Sequence, residues 1–498
     1  MRSLSALLTD FSCEIRGPYE DRAIEQIEYD SRKATEASFF FCLPGAKADG
    51  HDFALSAYDN GARAFVVERF LTLPDDAVQI KVPNARAALA ILSARFFGNP
   101  ADRLTVIGVT GTKGKTTTSI LIQEILSKQG IKCGYIGSNG VFIGDRHYET
   151  INSTPESREL HRFFALMVES GYTHVAMEVS SQALDHDRVT GIRFDTVVYT
   201  NLSEDHVGPG EHASFEEYRD AKHKLFTDYG AAHIVCNADD ANAAYMMKGA
   251  SGVVVSYGLD PAADFSAEAC RPYRDTTSLG IEFDAVHNGV KTGVRLRQPG
   301  KFSVYNGLAA LAVVSQYGVS VRDAADALRT ISICGRFEIV DALPGVTFII
   351  DYAHNGLSLT RALTELRAYE PRKLICVFGC IGGRTVGRRR ELAEAAGTLA
   401  DYTIISSDNP DFEDPDTIIE DVLRWFDRTK PYTVIADREE AVRCAVRMAN
   451  DGDIVLFAGK GHETYQLIRG EKVPFIEKNV LLDEADKRAA REAAVSAH

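Results

Sequence analysis

The feature that most restricts the fold is the run LTVIGVTGTKGKTTTSILIQEILSKQG, from Leu104 to Gly130. It joins an apolar strand, a glycine-threonine loop and a helix that stops at Gly130, the opening of a βαβ unit. Strands in such units lie parallel and need helices on both faces, so the chain has to supply a largely parallel, helix-covered sheet. Apolar segments at His174 to Met177, Thr196 to Tyr199 and Ile234 to Cys236, separated by helical patterns, meet that need. Further on, TFIID, KLICVF, YTIIS and DIVLFA alternate with amphipathic stretches such as Asp416 to Phe426 and Arg438 to Met448. They predict a second, Rossmann-like doubly wound sheet. Upstream, DSRKATEASFFFCLPG (Asp30 to Gly45) offers a strand bounded by turn residues, within a small mixed module that ends near the breaker pair Asn99-Pro100.

A chain of 498 residues is too long for one hydrophobic core. The expected architecture is α/β in three domains: a small mixed α/β domain at 1–102, a central P-loop-type ATPase domain at 103–333, and a C-terminal Rossmann-like domain at 334–498. ISICGRFEIV (Ile331 to Val340) reads as the hinge into the third. The formal net charge of -15, with no long Lys/Arg block, disfavours a nucleic-acid partner. Nine scattered cysteines without a CxxC pair indicate neither a disulfide framework nor a zinc knuckle and suit a reducing cytosol. The N-terminal apolar run is too short for a signal segment, and no stretch approaches the roughly 18 apolar residues of a membrane span.

The loop Thr110-Gly111-Thr112-Lys113-Gly114-Lys115-Thr116 lies between strand and helix. Glycines there let backbone N–H groups turn toward phosphate oxygens, the helix N-terminus adds a favourable dipole, Lys115 reaches the terminal phosphates, and the Thr116 hydroxyl can meet Mg²⁺. Val109 stands where the strict P-loop spacing has its first glycine, which points away from GTPases and transport ATPases. Glu178, in MEVSS, follows an apolar run and so falls at the C-terminal edge of a strand, where a carboxylate can hold a phosphate-bound Mg²⁺. His206, in TNLSEDH, repeats that layout after the next strand, and Lys222 is the next candidate. An isolated post-strand Glu, His or helical Lys is more often structural than functional; three strand ends sharing one rim reverse that weighting.

TGTKGKTTT, MEVSS, TNLSEDH, Ala221-Lys222 with Leu225-Phe226, NADD (Asn237 to Asp240), GRFE (Gly335 to Glu338), DYAH (Asp351 to His354), SDNP (Ser407 to Pro410) and GKGHE (Gly459 to Glu463) occur in that order. Together they resemble the Mur ligases, in particular the UDP-N-acetylmuramoyl-tripeptide synthetase (MurE-type) branch, over nearly the whole chain. The resemblance implies an ATP-dependent amide ligase of peptidoglycan biosynthesis: a substrate carboxylate is phosphorylated to an acyl phosphate, and the amine of an incoming amino acid displaces the phosphate. It implies ATP contacts from Gly111, Thr112, Lys113, Gly114, Lys115, Thr116, Thr117, Asn237, Arg336 and Asp351. It further implies two Mg²⁺, one held with the help of Thr116 and the other by Glu178, His206 and Lys222, the lysine as its carbamate. Ser31 would contact the UDP portion, and Asn152, Ser153, Thr154, Ser180, His186 and Arg188 the muramoyl-peptide. The partners are then small molecules, and a cytoplasmic monomer is expected.

Branch members that add meso-diaminopimelate carry DNPR, whose Arg can pair with the distal carboxylate of that substrate. Here the string is Asp408-Asn409-Pro410-Asp411, so L-lysine is the expected amino acid, with meso-diaminopimelate or L-ornithine as alternatives. Arg384, in the loop GCIGGRTVGRRR, matches the α-carboxylate ligand, and Glu463 shares that pocket. Rival readings are a folylpolyglutamate- or cyanophycin-type synthetase, which the DSR and SDNP motifs disfavour, and a nucleotide-hydrolysing regulatory protein, which would need switch elements instead of a substrate-binding third domain.

Overall fold

The computed structural model describes residues 2–45, 48–204, 208, 211–275, 278–383 and 386–496. They divide into two compact units, Met1–Phe265 with Leu308–Ser320, and Ser266–Gly307 with Val321–His498.

Two larger sheets, besides the short pair Arg2–Ser3 with Ala23–Ile24, organise the first unit. The N-terminal one runs Glu14–Arg16, Val78–Lys81, Ala64–Val67, Ser38–Phe41, Gln26–Glu28 across its width, parallel except for the antiparallel edge strand Glu14–Arg16. The strand SFFF is buried throughout. Its alternation sends Phe39 and Phe41 to one core, with Leu89 and Leu92, and Phe40 to the other, with Ala54 and Ala57, so one short segment binds helices on both faces. Tyr29 and Asn84 then tie this sheet to the next, through a Tyr29 hydroxyl bond to Glu159 (2.8 Å) and an Asn84 amide bond to Asp187 (2.8 Å). The first unit thus joins the expected first domain to most of the central one, whose residues 266–307 and 321–333 fall in the second unit.

The central sheet places Thr105–Thr110 between His174–Glu178 and Phe194–Tyr199, with Cys133–Gly137 beyond the former and Ala231–Asn237 and Val253–Gly258 beyond the latter, all parallel. Val109 pairs with Glu178, and Thr110 with Tyr199. The loops after these three strands therefore leave from one rim.

The second unit carries the antiparallel pair Leu279–His287 and Val290–Leu296 and a Rossmann-like sheet. That sheet is ordered Glu338–Val340, Thr347–Asp351, Ile454–Ala458, Leu374–Cys380, Tyr402–Ser407, Tyr432–Val434, parallel after its first strand. Apolar clusters cover both faces, one around Leu363, Phe378 and Ile405, the other around Val377, Ile404 and Phe457. No helix among the described residues is long and apolar enough to cross a membrane, and all nine cysteines are free.

Candidate active site

The glycine-threonine loop is held from one side by the chain after Tyr199. The Thr112 N–H donates to the Asn201 carbonyl (2.8 Å), the Lys113 N–H to Asn201 Oδ1 (3.0 Å), and the Thr200 hydroxyl to the carbonyls of Thr110 (3.2 Å) and Lys113 (2.8 Å). The approach is close enough that a Cβ at Gly111 would lie 2.0 Å from Thr200 Oγ1, and Gly111 has φ +143°. Gly114, at φ +88°, opens the helix Lys115–Lys128. Lys115 Nζ folds over the loop onto the carbonyls of Gly111 (2.9 Å) and Thr112 (3.0 Å), while Thr116 is buried at the first turn. A loop of this shape presents backbone N–H groups and an ammonium to an anion.

Glu178 ends its strand 1% exposed. Its Oε1 accepts from the Tyr135 hydroxyl (2.9 Å) and the Ser138 N–H (2.7 Å), and its Oε2 from the Ser138 hydroxyl (3.2 Å). Those donors compensate burial of the charge and fix its orientation. The Glu178 carbonyl accepts from the Thr154 hydroxyl (2.9 Å), which also receives the Ser180 N–H (3.1 Å). Arg188 donates to the Thr154 carbonyl (3.2 Å) and to Glu156 (2.8 Å), so Thr154, Ser180 and Arg188 form one bonded group behind Glu178. His186 adjoins it, with its pKa lowered by burial and by the charges of Arg86 and Arg188. Asn152 and Ser153 sit half-buried at its edge. Lys222, 1% exposed on the helix Phe215–Thr227, holds its ammonium 4.6 Å from the centre of the Tyr218 ring. Asn237 donates to the Thr200 carbonyl (2.7 Å), and Ser31 is buried in the N-terminal sheet region.

In the second unit, Asp351 ends a strand and accepts from the Phe337 N–H (2.8 Å). Burial pushes its carboxyl up to about 6, against the opposing pull of Arg336 and of neighbouring N–H groups. The Arg336 guanidinium lies 5.0 Å from the Tyr352 ring centre. On the same sheet's rim the fully buried Lys460 donates to Asn409 Oδ1 (2.8 Å) and Glu463 Oε2 (2.6 Å), with Asp408 Oδ1 at 3.5 Å. The Asn409 amide donates to that same Glu463 oxygen (2.9 Å). Burial raises the Asp408 pKa, and Lys460 and Arg438 oppose the rise.

Comparison with known families matches a Mur ligase family catalytic domain at residues 23–97, a Mur ligase middle domain at 109–314, and a Mur ligase glutamate ligase domain at 335–461. A protein of Geobacillus thermodenitrificans (strain NG80-2), named UDP-N-acetylmuramoyl-L-alanyl-D-glutamate--2,6-diaminopimelate ligase, is 41% identical, covering 92% of this chain and 94% of that one. The chain belongs to the Mur ligase family. A Clostridium botulinum (strain ATCC 19397 / Type A) protein of the same name is 38% identical, over 92% of this chain and 95% of its own. A solved structure of a ligase of that name superposes with a TM-score of 0.68 at 30% identity, covering 94% of this Mur ligase and 95% of that chain.

The names of these relatives specify 2,6-diaminopimelate, which agrees with the alternative expectation and lends no support to L-lysine, the amino acid to which the DNPD string pointed. Asp411 has φ +52°, exchanges backbone hydrogen bonds with Leu467 and Arg469, and accepts the Gly470 N–H on Oδ1 (2.7 Å). Its carboxylate closes the turn of the hairpin Tyr465–Ile468 and Glu471–Pro474. His206 and Arg384 lie outside the described residues. The sequence reading missed the lattice of Thr200, Asn201 and Asp240, the last of which binds the Tyr199 hydroxyl (2.7 Å) and the Leu202 N–H (3.1 Å). TNLS and NADD contained these residues, but their partners are distant in sequence. Lys460, inside GKGHE, was likewise passed over.

Proposed function

We propose that this Mur ligase joins 2,6-diaminopimelate, as its meso form, to UDP-N-acetylmuramoyl-L-alanyl-D-glutamate at the expense of ATP, a cytoplasmic step of peptidoglycan synthesis. The observation that carries the reading is the phosphate-binding loop pinned by Thr200 and Asn201 beside the buried carboxylate of Glu178, in a chain alike over nearly its full length to ligases of that name. A domain division at 1–102, 103–333 and 334–498 accommodates all three family matches.

In the proposed reaction a D-glutamyl carboxylate oxygen attacks the γ-phosphorus, the bond to the β-γ bridging oxygen breaks, and ADP leaves. The amine then attacks the acyl carbon, phosphate departs, and the nitrogen loses a proton to give the amide. Lys115 and the loop N–H groups stabilise charge on the phosphates, where such preorganised donors are most effective. Arg336 and Asp351 are assigned to the phosphates and the ribose. Thr116 would help to hold one Mg²⁺, and Glu178, with His206 and a carbamylated Lys222, would hold the other, the oxygen donors suiting a hard cation. Bound Mg²⁺ would offset repulsion between the two reacting anions.

Hydroxylamine trapping tests this chemistry. With ATP and the UDP-linked dipeptide but no amino acid, hydroxylamine should capture the acyl phosphate as a hydroxamate. ATP hydrolysis without hydroxamate would contradict the intermediate. Lys222→Ala should be nearly inactive and partly restored by short carboxylates; full activity in a preparation whose intact mass shows unmodified lysine would exclude the carbamate.

A further inference from the structure

The sequence GRRR (Gly387 to Arg390) places three guanidiniums in the first turns of the helix Val386–Leu399, and two of them are committed. Arg389 is buried between Glu413 (2.6 Å) and Asp421 (2.7 Å). Arg390 pairs with Glu394 (2.7 Å) and lies 4.6 Å from the Trp425 ring centre. Arg388, half-buried, has no ion pair or hydrogen bond among the described residues. It lines a small, water-sized cavity at the C-terminal rim of the Rossmann-like sheet together with His354, Gly379, Cys380, Arg389 and Asp408. An uncommitted guanidinium at a cavity wall is an incomplete interaction, because its planar fork of N–H donors matches a carboxylate.

Two other cations at this rim, among the described residues, are already balanced. Lys460 is satisfied by Asn409, Glu463 and Asp408, and Arg438 by Glu477 (2.7 Å). At position 411 the chain offers an anion turned to Gly470 in place of a cation. A dicarboxylic diamino acid entering here therefore has one carboxylate more than position 411 can serve. The open sheet's rim is where ligands of such folds bind, and the helix N-terminus adds favourable potential for an anion.

We propose that Arg388 is the specificity-determining residue that receives the distal carboxylate of the incoming diaminopimelate, taking over from the helix the task that an arginine after DNP would perform. The proposal rests on the diaminopimelate reading above. L-Lysine has no such carboxylate and would leave the guanidinium desolvated and unpaired, so the same residue rejects it.

The test compares wild type, Arg388→Gln and Arg388→Lys in ADP release, with saturating ATP and UDP-linked dipeptide, across meso-diaminopimelate and L-lysine. A charge-assisted bidentate pair predicts that Arg388→Gln lowers kcat/KM for meso-diaminopimelate by about 10- to 100-fold, chiefly through KM. L-Lysine use should be unchanged or raised, and Arg388→Lys should recover part of the loss. Because Arg388 has no ion pair or hydrogen bond among the described residues, the Tm should stay constant. A wild type selective for meso-diaminopimelate whose Arg388→Gln variant keeps that selectivity, or loses both substrates equally, overturns the proposal alone. A wild type that prefers L-lysine overturns the amino-acid reading and the proposal with it.

Discussion

Two buried ionisable groups give this molecule opposite pH signatures. Asp351, raised to about 6 by burial, is easier to bury protonated. Relative to an unfolded carboxyl near 4, its favourable contribution is complete below that value and is lost as pH rises through about 6; the shift corresponds to on the order of 3 kcal/mol. The Tm of Asp351→Asn should therefore gain on wild type between pH 4 and pH 7.5, while its ATP KM rises. A pH-independent Tm difference would show that burial is not the cause. His161 behaves inversely. It is buried, neither ring nitrogen has a partner among the described residues, and burial lowers its pKa to about 4. Its contribution is present above about 6.5 and lost as pH falls toward 4, so His161→Leu should raise the Tm at pH 5 more than at pH 8. Neither residue was singled out from sequence for its pH behaviour. Asp351 was expected to contact ATP from its place in DYAH, but its titration depends on Arg336 and Phe337, which only the fold brings to it.

At the scale of elements, function depends on short connections locked by residues far apart in the chain. The strand–loop–helix around Lys115 was legible because its chemistry is local: glycines, lysine and threonine lie in one uninterrupted run. What fixes that loop comes from Thr200 and Asn201 across the sheet, which no local pattern shows. Gly111→Ala, whose Cβ would meet Thr200 Oγ1, should shift the loop and cost turnover on the order of 100-fold, as misplacement by about 1 Å does elsewhere. Unaltered turnover would mean that the loop has room the structure denies. The same limit applies to Asp411, whose carboxylate holds the turn of a hairpin that begins more than fifty residues later, a contact no local pattern shows. The last helix, Glu477–Ser496, begins at the ion pair of Glu477 with Arg438, both buried. Removing one charge leaves the other uncompensated, so Glu477→Gln should cost about 3 kcal/mol in the stability of the second unit, read from its denaturant transition. A change well under that figure would show that water reaches Arg438.

For the whole molecule, alternation of apolar strands and amphipathic helices made both the central and the Rossmann-like sheets legible, since buried parallel strands leave a strong periodic mark. The grouping into compact units was not: its boundary falls inside the expected central domain, and the contacts within the first unit join residues far apart in sequence, such as Tyr29 with Glu159 and Asn84 with Asp187. The central claim is that this chain spends ATP only to make an amide. Counting ADP against tripeptide product in one reaction tests it most directly. With ATP, UDP-N-acetylmuramoyl-L-alanyl-D-glutamate and meso-diaminopimelate, the account predicts one ADP per amide bond formed, with ADP release falling to background when the UDP-linked dipeptide is omitted. ADP release that continues without the dipeptide, or that yields no amide, would contradict it.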